Sequence, residues 1–543
     1  MSYDLAISLG HNSSAVLIKD GEILAGYEEE RFTGLKADSV FPIQAISELN
    51  RRFGLPKDTN AFVSHWFINA QLPTSNKYWR PEVLRDLFPN GQVDSLSADF
   101  THHDAHLESA MVFAGDDFSG HYHVIVADGF GNYGECVSIY EVAGKSYRLL
   151  HRVFGFEKSM GMLYQYATAF MGMKMHNHEY KMLAYEVHIG TVLEPWEIDI
   201  LKELAWDQAQ KYLKIMNNFS LTNQFDPVTD LSALPNVQDQ INTMLSAVLE
   251  KMVLTDANEY DKRVVISWFV QHVVEAVILT MARMHNPTNL LVVGGLFYNV
   301  KLNHLIAQEI RGKLCAMPLA GDQGAALGVY NAYKGDLKWP DHLNWGPRDL
   351  GTFDRDVDGI KVYDDLDHAY LHMRRVLKNQ GWVNLVRGNL EYGPRALCNT
   401  STIAIPDPKI TQDINRANAR TMEMPFAPVM TESQADDLFL ETDKIHKSLE
   451  YMIVTRTYAP GSQANMMGAA HFYPQENVYT GRPQITADPL MVALLKEFGP
   501  LVNTSFNFHG VPIVRSMEQI VNTHESQWRT APDLKPTTII IRS

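Results

Sequence analysis

Cysteine is scarce in this chain: three in 543 residues exclude a disulfide-built scaffold and fit a reducing compartment. Basic charge is also short. Lys and Arg number 47 against 63 Asp and Glu, giving −16 at pH 7, and that balance disfavours nonspecific binding to a nucleic-acid backbone. Anionic ligands then have to be held by particular Arg and Lys side chains, backbone amides or a metal. No apolar run reaches the roughly 18 residues of a membrane helix. The opening MSYDLAISLGHNSSAVLIKD has no basic leader before a long apolar stretch, so no membrane partner and a cytoplasmic location are expected. With 45% hydrophobic and 20% charged residues, the composition is that of an ordinary globular chain. Its length suits roughly two to four domains.

Short apolar strands and turn formers organise the first 330 or so residues. Asp4 to Gly10 runs into His-Asn-Ser-Ser, Ala15 to Lys19 resumes the β pattern, Asp20-Gly21 supplies a turn and Glu22 to Tyr27 returns, which predicts a hairpin. Ile43, Ile46, Leu49 and Phe53 share one helical face. Tyr122 to Ala127 is a second β run, stopping at Asp128-Gly-Phe-Gly, with Cys136 to Tyr140 and Tyr147 to Val153 extending a sheet from it. Residues 161–175 predict a core helix and Val264 to Met284 a long apolar one; Asn289 to Val293 and Lys313 to Met317 are strands ending near glycines. The alternation favours α/β layers, and two hairpin starts suggest duplicated halves, although the residues show no clean repeat. Residues 334–358 have little periodicity, so the boundary falls there. We expect one domain over 1–345, a linker over 346–359 and an α/β unit over 360–543. Candidate strands in that unit are Gly381 to Val386, Thr400 to Ile405, Tyr451 to Val454 and Leu501 to Asn503.

The densest polar signal is Thr-His102-His103-Asp104-Ala-His106. Residues four apart share a helix face, so His102 and His106 can present two imidazoles to one metal while His103 points elsewhere. Satisfied polar groups near a helix start would look the same. A third ligand should be an oxygen on another loop, and Asp128 and Asp322 each follow an apolar strand. Turn formation at Asp128-Gly129 and helix capping by Asp322 are the simpler alternatives. Gly10, Gly129, Gly131, Gly294, Gly295, Gly321 and Gly324 follow or interrupt strands, where backbone can approach a phosphate closely. No Walker A loop or Rossmann fingerprint is present, so a split nucleotide site between two lobes explains them better. His11 sits at the first strand-to-turn junction, where Asn12 or Ser13 can orient a hydroxyl or phosphate beside a general base.

A second anion site is suggested by Arg387-Gly-Asn-Leu-Glu391-Tyr-Gly-Pro-Arg395, where Gly-Pro restricts the backbone before a guanidinium. Arg416 and Arg420 lie four apart on a helix candidate, with a solvated face as the alternative. Asn503-Thr-Ser505-Phe-Asn507 follows another strand and is dense in amides and hydroxyls. Cys136, Cys315 and Cys398 share no motif with a base, which disfavours a thiol nucleophile.

Taken in order, these segments resemble the O-carbamoyltransferase family that includes the nodulation-factor and tobramycin carbamoyltransferases. The family-like stretches are Gly10-His-Asn-Ser-Ser-Ala, Glu28-Glu-Glu-Arg-Phe, His102-His-Asp-Ala-His, Asp128-Gly-Phe-Gly and His178-Glu179-Tyr-Lys181-Met-Leu-Ala. Further along come Gly294-Gly-Leu-Phe-Tyr-Asn299-Val-Lys-Leu-Asn, Gly321-Asp-Gln-Gly324, Glu391-Tyr-Gly-Pro-Arg395-Ala-Leu, Pro425-Phe-Ala-Pro and Asn503-Thr-Ser-Phe-Asn. The resemblance implies a duplicated actin/hexokinase-like N-terminal domain holding iron, followed by a carbamoyl-adenylate-forming domain. It implies ATP with Mg2+, carbamoyl phosphate as donor, and transfer to an acceptor hydroxyl. It makes His102, His106, Asp128 and Asp322 ligands of Fe2+ and His11 the general base. Gly10, Asn12, Gly129, Gly131, Gly294, Gly295, Asn299 and Gly324 line the nucleotide. Arg395, Arg420, Asn503 and Ser505 shape the activation site.

Departures touch mainly the anion site: a usual Gly-Arg-x-Glu reads Gly388-Asn389-Leu390-Glu391, Gly-Asn-Arg reads Cys398-Asn399-Thr400, and Met424 stands where Arg is usual. The expected acceptor is a small hydroxylated metabolite or sugar, with a hydroxymethylated DNA base as runner-up and RNA third. Assembly as a homo-oligomer stays open. A nonenzymatic nucleotide-binding regulator would retain ATP binding yet need neither the histidine pair nor the C-terminal arginines, and a plain ATPase or sugar kinase would transfer phosphate instead of carbamate.

Overall fold

The computed structural model describes residues 3–118, 120–217, 230–351, 356–420, 426–474 and 476–542. Met424 and Pro425 lie outside them, as does part of the expected linker.

β1 (Tyr3–Ser8), β2 (Ser14–Lys19), β3 (Glu22–Glu28), β4 (Asn60–Ser64) and β5 (Val93–Ser95) form a sheet in the order β3-β2-β1-β4-β5. Asp20 and Gly21 close the first hairpin with φ of 50° and 80°, the left-handed pair that a two-residue turn requires. β6 (His121–Ala127), β7 (Glu135–Ala143), β8 (Ser146–Phe154), β9 (Leu290–Val293) and β10 (Leu314–Ala316) form a second, ordered β8-β7-β6-β9-β10. In each sheet the first three strands are antiparallel, and the last two continue in parallel from the first. The two sheets therefore repeat one strand order and one set of directions, which no residue-level repeat announces. β1 and β9 are buried along nearly their whole lengths, as continuous apolar runs in covered sheets must be.

Helices follow the parallel strands. His102–Ala114 comes after β5, and Asp322–Lys334 after β10. The two cross closely: a Cβ on Gly328 would lie 1.8 Å from the Ala105 carbonyl oxygen, so only glycine admits this spacing. Met160–Phe170 is capped by Ser159, whose hydroxyl accepts from the Met162 amide. The long apolar segment is the helix Glu259–Arg283, begun by an Asn258 cap. Its best 18-residue window reaches a mean hydropathy of 1.8, long and apolar enough to cross a membrane, yet 78% of that window is buried in the protein. Packing on all sides explains its apolar circumference.

The C-terminal sheet uses β11 (Ile360–Tyr363), β12 (Trp382–Arg387), β13 (Thr400–Ala404) and β14 (Ala427–Met430). A small sheet combines β15 (Arg456–Thr457), β16 (His471–Tyr473) and β17 (Val478–Gly481). With β18 (Gln484–Ile485), β19 (Leu501–Ser505) and β20 (Thr538–Ile541), the large sheet reads β11-β20-β12-β13-β19-β14-β18.

The expected strand at Tyr451 to Val454 is instead the end of a short 3-10 turn, Ser448–Tyr451, followed by Met452 at φ 56°. The apolar run that suggested a strand buries Leu449, Ile453 and Val454 against the second sheet. There the Ser448 hydroxyl accepts from the Ala316 amide at 2.7 Å and donates to its carbonyl at 2.9 Å. Together with the His446 amide, which donates to the Leu314 carbonyl at 2.8 Å, this side chain closes the open edge of β10. Burial alone cannot distinguish these two uses of a short apolar run.

Candidate metal centre and anion cluster

The helix His102–Ala114 starts under strong local constraint. Asp104 accepts from the Thr101 amide at 2.8 Å and hydroxyl at 2.9 Å, and its other oxygen is held by Tyr140 and Arg152, each at 2.7 Å. Asp104 therefore does the capping. His103 turns away to Ser138 at 2.8 Å, and burial keeps its pKa well below the usual value, so it is neutral. One turn apart on the same face, His102 and His106 bring their Nε2 atoms within 3.1 Å.

Two loops complete the group. Asp128, directly after β6, has a carboxylate oxygen 3.6 Å from His102 Nε2 and 3.3 Å from His106 Nε2; Asp322, first in its helix, lies 3.3 and 3.9 Å from the same atoms. One donor atom from each of the four residues falls within 4.8 Å of every other. Donors held about 2.0–2.2 Å from one ion are spaced roughly in this way. Both imidazole Nδ1 atoms are buried without a hydrogen-bond partner, and both Nε2 lone pairs can face a common centre. Burial opposes a proton on His102, but the two carboxylates overcome it and push its pKa up to about 10. Burial would raise Asp128, yet the imidazoles hold its carboxyl well below the ordinary range. The pocket takes up positive charge, and an N2O2 donor set fits a divalent transition metal.

Glycines make room for these donors. A Cβ on Gly131 would come 2.9 Å from His102 Cβ, and one on Gly295 would come 2.8 Å from Asp128 Oδ1. The Gly129 amide donates to Asp128 Oδ1 at 2.7 Å. Gly294, at φ 103°, lies against the Ala127 carbonyl. Gly324 packs on Leu319, and its amide is bonded to Gly321. Asn299 caps the helix Val300–Glu309 and exchanges its amide with Gln271, so its side chain is committed to the fold.

Gly10 rests against Trp66 and Asp322, which brings the turn carrying His11 to the rim of the four-donor group. Asn12 takes a left-handed φ of 55° there. The His11 ring stacks on His176 at 3.8 Å and 26°, and its buried Nδ1 has no partner. The His176 amide is held by Glu179. Lys181 has its pKa lowered by burial and by Arg263.

The second group is cationic. Arg395, Arg420 and Arg482 are half-buried, and none has an ion-pair partner among the described residues. Burial pulls Arg420 down to about 10 and Arg395 below its usual value, while burial and repulsion from Arg395 take Arg482 well below it. Arg395 Nε is buried without an acceptor. Ala419, at φ 53°, turns Arg420 back to Thr504 Oγ1 at 3.2 Å. Lys36, from the first half of the chain, lies 5.5 Å over the Tyr180 ring within the field of Arg395 and Arg420. The three arginines converge with no carboxylate acting on them, whereas Lys36 also feels Glu30, and guanidinium groups so placed can hold a multiply charged anion.

Arg416 stays outside this group, paired with Asp533 at 2.7 Å on a solvated helix face. Asn503 is buried, donating to Gln484 at 2.6 Å and to the Ala396 carbonyl at 2.9 Å, so it braces the Arg395 loop. Ser505 donates to Asn507 at 2.6 Å. Arg482 and Lys36 were missed from the sequence as site residues. Gly481-Arg-Pro, with the arginine next to backbone-restricting residues as in Gly-Pro-Arg395, was the available signal for the first.

Residues 92–330 match the family described as carbamoyltransferase N-terminus, and residues 374–531 that described as carbamoyltransferase C-terminus. An uncharacterised Methanocaldococcus jannaschii protein, MJ1051, is 26% identical over 96% of both chains. The nodulation protein NolNO of Sinorhizobium fredii is 25% identical over 96% of this chain and 78% of its own. The 3'-hydroxymethylcephem-O-carbamoyltransferase of Amycolatopsis lactamdurans is 29% identical over 46% of this chain and 48% of its own.

Proposed function

The chain belongs to the carbamoyltransferase family and is an O-carbamoyltransferase; from that premise we propose that its two clusters divide the reaction between activation and transfer. The repeated strand order supports an actin/hexokinase-like pair of lobes for residues 1–345, and the seven-stranded sheet supports a separate activating unit in residues 360–543.

In the activating unit, Arg395, Arg420 and Arg482 bind the phosphates of carbamoyl phosphate and Mg2+-ATP, with Lys36 at their edge. Water takes the phosphoryl group of carbamoyl phosphate as orthophosphate. The freed carbamate oxygen attacks the α-phosphorus of ATP, pyrophosphate leaves, and carbamoyl-adenylate results. Asn503 and Ser505 keep the neighbouring loops in shape. Gly10, Asn12, Gly129, Gly131, Gly294 and Gly295 border the place where the adenylate is used.

At the transfer centre, His102, His106, Asp128 and Asp322 would hold Fe2+, which supplies Lewis acidity toward the mixed anhydride. His11 takes the proton of the acceptor hydroxyl as its oxygen attacks the carbamoyl carbon, and AMP departs with the former anhydride oxygen. The observation carrying this reading is the coexistence, in one chain, of a four-donor pocket and three converging arginines on which no carboxylate acts. Its test is pyrophosphate release from ATP in the presence and absence of carbamoyl phosphate, followed by mass spectrometry of hydroxylated acceptors. Pyrophosphate release that ignores carbamoyl phosphate would defeat the reading.

A further inference from the structure

Arg395 belongs to the activating cluster, yet the loop that carries it is seated in the first half of the chain. The Tyr392 amide donates to the Leu343 carbonyl at 2.7 Å. The Gly393 amide donates to Glu28 at 3.3 Å, and the Gly393 carbonyl accepts from Arg31 at 2.9 Å. Glu28 and Arg31 are buried and paired with each other at 2.7 Å. Gly393, at φ 102°, passes so close to Leu319 that a Cβ there would lie 2.6 Å from its Cδ2. Beyond Arg395, one Glu391 oxygen gathers the amides of Leu397, Asn399 and Thr400 at 2.6, 2.8 and 3.2 Å. The loop is therefore anchored on either side of its arginine.

Tyr392 is the part of this loop that enters the core beneath the four-donor group. Its buried ring stacks on Trp345 at 5.6 Å and 26°, and packs in one hydrophobic cluster with Val16, Leu319 and Ala325. Gly26 clears its path, since a Cβ there would lie 2.9 Å from Tyr392 Cδ2. Burial holds the phenol above its usual pKa, so it stays protonated and has one hydrogen to give. That hydrogen goes to the Gln323 carbonyl at 2.9 Å. The Ser14 hydroxyl, 2.7 Å away, then donates to the phenol oxygen. Gln323 follows Asp322 in the first turn of its helix, and Ser14 opens β2 at the end of the turn carrying His11. One buried hydroxyl from the C-terminal half thus spans the two segments that present a metal-side carboxylate and the proposed base. Phenylalanine would fill the same space, but only a hydroxyl ties Gln323 to Ser14.

We propose that Tyr392 is a positioning residue of the transfer centre, setting the first turn of the Asp322 helix against the His11 turn through Gln323 and Ser14. This assignment rests on the carbamoyl-transfer reading above. It makes the geometry of the four-donor group depend on the loop that carries Arg395, three residues further on. A bond to the residue beside a ligand works as bonds to the ligands do: it fixes the orientation in which the carboxylate meets the ion. The C-terminal half therefore completes a centre whose four donors all lie in residues 102–322.

The test uses the full chain, stripped of metal and titrated with Co2+, whose visible absorption reports affinity and coordination geometry together. Loss of the band in His106→Ala identifies it as that of the four-donor group. Tyr392→Phe should weaken Co2+ binding about tenfold and alter the band of the loaded protein. Its carbamoyl-phosphate-dependent pyrophosphate release should stay within about threefold of wild type, because the ring still seats the Arg395 loop. Ser14→Ala leaves the bond to Gln323 in place and should weaken Co2+ binding about threefold. Overturning results are an unchanged Co2+ affinity and band in Tyr392→Phe, a loss of pyrophosphate release as large as the loss of Co2+ affinity, or a band that survives His106→Ala. If Tyr392→Phe does not fold, wild-type Co2+ binding by Ser14→Ala overturns the proposal instead. The titration involves neither ATP nor carbamoyl phosphate, so it fails or succeeds separately from the parent reading, on which pyrophosphate release by wild type reports.

Discussion

His176 lies flat on His11, with ring centroids 3.8 Å apart and planes 26° from parallel. His176 adopts φ 63° to do so, and Glu179 holds its amide. A stacked partner restricts the rotamers of the proposed base without occupying its nitrogen atoms. Replacing His176 with Ala should lower the rate of transfer from preformed carbamoyl-adenylate about tenfold, while Phe should retain most of it by keeping the stack. Equal losses in both variants would assign His176 a role beyond positioning.

Gly328 sets the distance between the two helices that carry His102, His106 and Asp322. Valine there must displace the Ala105 carbonyl, and overpacking of this kind costs about 1–3 kcal/mol. We expect a lower unfolding midpoint and reduced metal content in the purified Gly328→Val protein, measured by calorimetry and inductively coupled plasma mass spectrometry.

The two clusters should separate under mutation. His106→Ala removes one of four donors and should abolish carbamoyl transfer, yet leave carbamoyl-phosphate-dependent pyrophosphate release within about threefold of wild type. A chelator should reproduce that split once Mg2+ is restored.

Arg482 faces Arg395 with no carboxylate to balance either guanidinium. Its neutral replacement, Arg482→Met, should therefore raise the unfolding midpoint of the ligand-free protein by a few degrees while reducing pyrophosphate release at least a hundredfold. Pyrophosphate should stabilise wild type and have little effect on the variant, as binding to the folded state alone requires. A destabilised variant would mean that the guanidinium has a structural partner.

Acid should weaken the fold through buried histidines. Burial holds His65 and His272 down to about 3, against an ordinary value of 6.5. An unfolded chain binds protons at these sites below pH 6.5 and the folded chain does not. Their contribution is thus complete above pH 6.5 and is lost as the pH falls toward 3, by on the order of 3 kcal/mol for fully buried His65. His272→Gln should flatten the fall of the unfolding midpoint between pH 7 and pH 4.

Local order was legible wherever one short-range rule sufficed. The Asp20-Gly21 turn, the spacing of His102 and His106, and the apolar helix around Val264 to Met284 each follow from neighbours within a few residues. The run at Tyr451 to Val454 is no strand because its burial comes from packing on the second sheet, and the segment before it, through the Ser448 hydroxyl and the His446 amide, supplies the hydrogen bonds to β10. Arg416 and Arg420 looked alike in sequence, and a single left-handed residue, Ala419, sends only the second inward.

The sequence alone determined the kinds of donor available and the strand ends that bear them, because side-chain chemistry and hydrophobic period are local properties. Only the tertiary structure decided that Asp128 and Asp322 meet the histidine pair, that the Asn299 side chain and the Asn503 amide nitrogen brace neighbouring segments, and that Lys36 crosses to the arginines. Those outcomes depend on how two sheets and two helices pack, with Gly328 admitting the close crossing, and no spacing along the chain encodes a distance between segments brought together only by burial.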